Sequence, residues 1–86
     1  MEQKLIDAQL WTAEDGHLNN LSCSDAWRVL ARLGAPYRYA GKAQDGRSEY
    51  LVLDPKTGNV IATGRGESTS EAMCEAALAA KRAMQA

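Results

Sequence analysis

Residues 37–65 read YRYAGKAQDGRSEYLVLDPKTGNVIATGR, three short alternating runs separated by two tight turns. In the first run Tyr37 and Tyr39 alternate with Arg38 and Ala40. In the second, Tyr50 and Val52 share one face while Leu51 and Leu53 share the other. A period of two is the signature of a strand, whose side chains point to opposite faces in turn. Asp45-Gly46 is a hairpin pair, and DPKTGN is a turn with Pro55 well placed and Gly58 near its end. Connections this short cannot carry a parallel crossover. Strands near 37–42, 48–53 and 59–63 are therefore expected as an antiparallel meander.

On either side the period returns to that of a helix. In LSCSDAWRVLARLG, Ser22 and Asp25 have the spacing of a capping box with a shorter acid, and Ser24 is a rival cap. Ala26, Trp27, Leu30, Ala31 and Leu33 make an apolar stripe, with Arg28 and Arg32 opposite. Trp27 is expected in the core beneath the final helix. Gly34 ends this helix, and Pro36 bars its continuation. The last segment, RGESTSEAMCEAALAAKRAMQA, opens with Ser68 and Glu71 at capping-box spacing. Met73, Ala76, Ala77, Ala80 and Met84 line one face, and so much alanine suits a helix lying close to a sheet or to another helix. Lys81 and Arg82 suit the helix C-terminus. Helices over 22–33 and 69–84 around the meander give an α+β class. The expected form is α-β-β-β-α, a three-stranded antiparallel sheet covered on one face by two helices.

Ahead of this lies EQKLIDAQLW, compatible with a short N-terminal helix. Alone it is marginal in water, so Leu5, Ile6, Leu10 or Trp11 should dock on the domain or on a partner. Residues 12–20 are polar and turn-rich and read as a loop. The chain thus divides into 1–20, a short helix and polar loop, and 21–86, a single domain. Its 86 residues allow one small core, compatible with a monomer or a weak homodimer. Ten basic and eleven acidic residues leave a formal charge of −1, against the surplus of cations that duplex nucleic acid demands. No apolar run is long enough for a membrane span or a secretory segment, so the protein is expected in the cytoplasm. Cys23 and Cys74 belong to no metal-ligand spacing. They read as reduced thiols serving as small hydrophobes, with a helix-linking disulfide as the alternative.

Two stretches carry a family resemblance. Asp25-Ala26-Trp27-Arg28-Val29 and Glu71-Ala72-Met73-Cys74-Glu75-Ala76-Ala77-Leu78 resemble the Ala-Trp-x-Val run and the final-helix run of the phage ABA-sandwich domain, found in small phage and prophage proteins. The opening Leu5-Ile6-Asp7-Ala8, with Trp11 behind it, is similar to that family's leader. Where the family often has Pro after the helix cap, this chain has Ser70. The resemblance implies a phage or prophage accessory protein and brings no activity, cofactor or catalytic residue with it. The order of elements also resembles a double-stranded RNA-binding domain. Such domains, however, place lysines at the start of the last helix. Here those positions are Thr69, Ser70 and Glu75, with Glu67 and Glu71 nearby, so no duplex binding is expected.

The remaining candidates have plain readings beside their functional ones. His17 is a lone histidine in a polar loop beside Glu14 and Asp15. It lacks a nucleophile or a metal-ligand set. Gly64 to Ser68 is a Gly-rich turn before a helix without the lysine of a phosphate loop. It reads as a connection. Asp54, Lys56 and Asn59 are turn residues, as are Asp45, Gly46 and Arg47. Neither catalytic residues, cofactors nor metals are expected. Trp11, Tyr37, Tyr39 and Tyr50 with Arg38 and Arg47 are the candidate partner contacts. The partner would be a host or phage protein. The alternative is weak single-stranded nucleic-acid binding, with the tyrosines stacking on bases and Arg38, Lys42 or Arg47 meeting phosphates.

Overall fold

A computed structural model describes residues 1–16, 18 and 22–85. A short helix α1 (Glu2–Asp7) is followed by a single 3-10 turn (Ala13–Asp15) and helix α2 (Cys23–Leu33). Strands β1 (Tyr37–Lys42), β2 (Ser48–Leu53) and β3 (Val60–Gly66) then lead into helix α3 (Thr69–Gln85). The strands form one antiparallel sheet in the order β1-β2-β3. The α+β class and the meander are those the periodicity predicts. The local signals act where they were read. Ser22 Oγ accepts the Asp25 N–H at 3.2 Å while Asp25 accepts from the Ser22 N–H. Gly34 closes α2 in the left-handed region. Ser68 Oγ accepts the Glu71 N–H at 3.1 Å to open α3.

One face of the sheet is covered. Ser48, Tyr50, Val52, Ala62, Gly64 and Gly66 are buried, the alternate positions of β2 and β3. α3 packs on β3 and next on β2, and α2 packs on α3. The approach of α3 is unusually close. A Cβ added at Gly64 would lie 2.0 Å from Ala76 N and 2.5 Å from Ala72 O, and one at Gly66 would lie 2.7 Å from Ala72 N. The helix backbone therefore rests directly on the backbone of β3, with Ala72, Ala76, Ala77 and Ala80 buried around the contact. This is the use of the alanine-rich face. It also runs β3 on to Gly66, beyond the expected end at residue 63, because the Gly-rich continuation lies against α3 rather than turning away.

Trp27 is not the core residue expected, while Trp11 is docked on the domain, one of the two places expected for it. Trp27 is 47% exposed and Trp11 only 2%. α2 rests on a helix with little bulk, so only one narrow row faces inward: Ala26, Val29, Leu30 and Leu33. Trp27 and Ala31, one position over, fall outside that row. At the other end of the stripe on α3, Met84 is likewise exposed.

Trp11 is drawn in by a cluster centred on Arg32. The Trp11 indole N–H donates to the Gly16 carbonyl at 2.9 Å. The guanidinium carbons of Arg28 and Arg32 stand 5.8 and 5.9 Å from its ring centroid, within cation–π range. Arg32 forks onto Asp15, with Nη2 donating to Oδ1 at 2.7 Å and Nη1 to Oδ2, and Nη1 also reaches the Leu10 carbonyl. Asp15 in turn accepts from the Thr12 N–H. Leu5, Leu10 and Trp11 belong to the same hydrophobic core as α2, β2 and α3. The N-terminal segment through residue 16 is thus packed into the domain rather than attached loosely to it.

Arg32 holds the Asp15 carboxyl well below the usual carboxylate range. Asp15 is deprotonated more easily folded than unfolded, so its contribution is complete above the unfolded carboxylate pKa of about 4 and is lost as pH falls below it. Acid unfolding of wild type and Asp15→Asn should therefore differ most above about pH 4 and converge at lower pH. Parallel curves throughout would exclude this role.

The cysteines are both free thiols in unlike settings. Cys74 is buried on α3, and burial pushes its pKa up to about 12. Cys23 is exposed, its Sγ accepting from the Ser70 hydroxyl at 3.3 Å. It is not the buried hydrophobe expected of both. Because only the thiolate reacts, a thiol reagent should label Cys23 in the native protein and Cys74 only on unfolding. Equal native rates would contradict this placement.

Candidate functional site

β1 is an edge strand, and α3, seated on β3 and β2, leaves its inner face largely open. What reaches it is Trp27, from α2. The Trp27 and Tyr37 rings meet edge to face, with centroids 5.2 Å apart and planes at 62°. Tyr39 lies directly across from Tyr50 in the register, centroids 5.3 Å apart, and Tyr37 is 6.4 Å from Tyr50. Four rings thus run from the interior to solvent. Tyr50 is the inner end at 7% exposure, Tyr37 is half-buried, and Tyr39 and Trp27 are each 47% exposed. Burial raises the Tyr50 phenol pKa, and Tyr37 adds to the effect.

Strand alternation and a bulge decide which cations join this ledge. Arg38 pairs across to Leu51 and so points to the other, uncovered face. Between Tyr39 and Gly41 the register slips by one residue, with Gly41 at φ +93°, and Lys42 then pairs with Ser48. Without that slip Lys42 would share the face of Arg38; with it, Lys42 joins the tyrosines. Arg47 lies past the hairpin, 3.8 Å from Asp45 in an exposed pair of the kind that contributes little. Among the described residues, neither Arg38 nor Lys42 forms an ion pair.

The main chain of β1 is open as well. The Leu53 N–H donates to the Pro36 carbonyl at 2.8 Å, which makes the 36/53 pair a hydrogen-bonded one. Antiparallel pairs alternate, so Arg38 and Leu51 exchange bonds while Tyr37/Val52 and Tyr39/Tyr50 do not. The N–H and C=O groups of Tyr37 and Tyr39 consequently point away from the sheet.

The expected contacts therefore separate. Tyr37 and Tyr39 come together at the surface. Tyr50 is the buried floor beneath them, and Trp11 is core. Arg38 and Arg47 lie off the tyrosine face. Trp27, read from the sequence as core, is with Tyr39 one of the ledge's two exposed rings. The tyrosine face is the helix-covered one, which removes Tyr50 as a stacking platform but leaves Tyr39 beside Lys42.

The other candidates settle into structural roles. Gly64 and Gly66 face the backbone of α3, leaving no cradle for a phosphate. Asp54 Oδ1 accepts the Lys56 N–H and Thr57 Oγ1 the Asn59 N–H, as in ordinary turns. His17 lies outside the described residues. Among the described residues no three His, Cys, Asp or Glu side chains gather as a metal-ligand set, and no helix is long and apolar enough to cross a membrane. No family model matches the chain, and neither a characterised protein nor a solved structure does.

Proposed function

We propose that this chain is a non-enzymatic accessory protein of phage or prophage type, acting in the cytoplasm by binding another protein of host or phage through the Trp27–Tyr37–Tyr39 ledge. The observation that carries the reading is the exposure of two large aromatics, Trp27 and Tyr39, each 47% exposed, on one ledge of ring contacts through Tyr37 and Tyr50. Tryptophan and tyrosine dominate contact energies because they bury much area with few rotatable bonds, and solvation gives no reason to leave Trp27 outside. The likeness of the Trp27 and Cys74 stretches to the phage ABA-sandwich domain supports the phage assignment.

Affinity capture from bacterial host lysate tests it, with the Trp27→Ala/Tyr39→Ala double variant as the control bait. A protein retained by wild type and lost from an equally folded variant supports the ledge. Equal retention by both, or none at low and moderate salt, removes it.

A second reading, weak single-stranded nucleic-acid binding, draws on Tyr39 and Lys42 sharing a face, where a base could stack while a phosphate is neutralised. Titration with labelled oligonucleotides distinguishes the two. The expected result is at most weak single-strand binding and no salt-sensitive duplex binding. Tight duplex binding that falls steeply with salt would favour nucleic acid over protein.

A further inference from the structure

We propose that β1 binds its partner by strand addition, accepting an extended segment in which apolar and acidic residues alternate as a fourth strand of the sheet. This rests on the protein-binding reading above and names the chemistry of the segment recognised.

Three features of one strand converge on it. The outward N–H and C=O groups of Tyr37 and Tyr39 offer a two-residue repeat of donors and acceptors, which is what an incoming strand pairs with. Above that edge stand Trp27 and Tyr39, so the inward side chains of an added strand would cover rings that are now half in solvent. Below it stands Arg38, without an ion pair among the described residues. The outward side chains of the added strand meet this cation and are best acidic.

Charge also decides against a second copy of this chain. β1, YRYAGK, carries two cations and no anion, so self-pairing brings like charges together across the new seam. Cations and a bulge at an edge are common protection against self-association. Protection alone, though, does not account for Trp27 and Tyr39, since large exposed aromatics beside an open edge invite contact. The opposite edge is less suited. Its outward residue Arg65 is already held by Glu49 at 2.7 Å, and α3 rests on Gly64 and Gly66 beside it.

The test uses the isotope-labelled full chain and the blocked peptide Val-Glu-Val-Glu-Val-Glu, with Val-Lys-Val-Lys-Val-Lys as the counterpart. The acidic peptide should slow hydrogen exchange at the Tyr37 and Tyr39 amides by about tenfold or more and shift the Trp27 indole N–H resonance. The Arg38 amide, already bonded to β2, should change little. The basic peptide should bind about tenfold or more weakly, and Arg38→Glu, a change on the uncovered face, should narrow or reverse that preference. A Trp27 shift that saturates without protection of Tyr37 and Tyr39 overturns strand addition and leaves the ledge standing. Equal binding of the two peptides overturns the charge argument. Protection that grows with protein concentration in the absence of peptide shows self-pairing and overturns the acidic partner. Absence of any response up to millimolar peptide overturns strand addition, while capture dependent on Trp27 and Tyr39 would still uphold the binding function.

Discussion

Gly64→Ala should lower the stability of the domain by about 3 kcal/mol or more, at or beyond the upper end of overpacking costs. The added methyl would lie 2.0 Å from Ala76 N and 2.5 Å from both Ala72 O and Ala76 Cα. All three are backbone atoms of α3, so no rotamer change relieves the contact. Either the helix lifts from β3 along its length or the strand bends away, and each route opens the buried seam of alanines. In a domain this small each kcal/mol corresponds to about 4–8 °C in the thermal midpoint, so a fall of roughly 15 °C is expected. Ala76→Gly should not rescue it, because the clash is with the nitrogen and Cα rather than the methyl of Ala76. Gly66→Ala should cost less. Its closest contacts are longer than those at Gly64: Ala72 N and Glu71 Cβ, both at 2.7 Å, are fixed by the helix backbone, and only Glu71 Cγ at 2.8 Å can swing aside. Urea unfolding followed by circular dichroism measures all four proteins. A loss below about 1 kcal/mol at Gly64, the central value for arbitrary substitutions, would mean that α3 does not lie on β3 as described.

Trp11→Ala should cost about 3–5 kcal/mol, the range for emptying a buried aromatic site, whereas Trp27→Ala should cost about 1 kcal/mol, near the value of one aromatic pair. Trp11 is among the largest side chains in the core. Its removal also strips the ring from beneath Arg28 and Arg32 and the donor from the Gly16 carbonyl. Trp27 loses chiefly its edge contact with Tyr37. Chemical denaturation of the two variants gives the order directly. Iodide quenching checks the placement of the two rings independently, since only the exposed indole is accessible to the ion. If Trp27→Ala proved the more damaging, the ledge would be part of the core and the proposed contact surface would disappear with it.

Short-range signals carried much of this architecture in the sequence. Asp45-Gly46 and the Pro55 turn imposed a meander because they leave no room for a crossover. Ser22 with Asp25, Ser68 ahead of Glu71, and Gly34 marked helix ends because a cap depends on residues within one turn. The alternation over 37–42 and 48–53 likewise placed Tyr39 and Arg38 on opposite sides of β1. One short-range signal went unused. Thr12 and Asp15 stand at capping spacing ahead of a single 3-10 turn, inside a stretch whose polar composition reads as loop. Other matters were left to the tertiary structure. Ala26-Val29-Leu30-Leu33 and Trp27-Leu30-Ala31 are adjacent stripes of one helix, and periodicity alone does not choose between them; the narrow alanine surface of α3 does. The same surface explains Gly64 and Gly66, whose lack of a side chain has meaning only once Ala72 and Ala76 lie against them from across the fold. Arg32 gathers Leu10 and Asp15 over 22 and 17 residues of chain, and that cluster is what makes Trp11 core. A local pattern specifies which faces exist, because it is set by neighbours in sequence. Which face is buried is set by what arrives from elsewhere in the chain, and here a close-lying helix left Trp27 and the edge of β1 to the solvent.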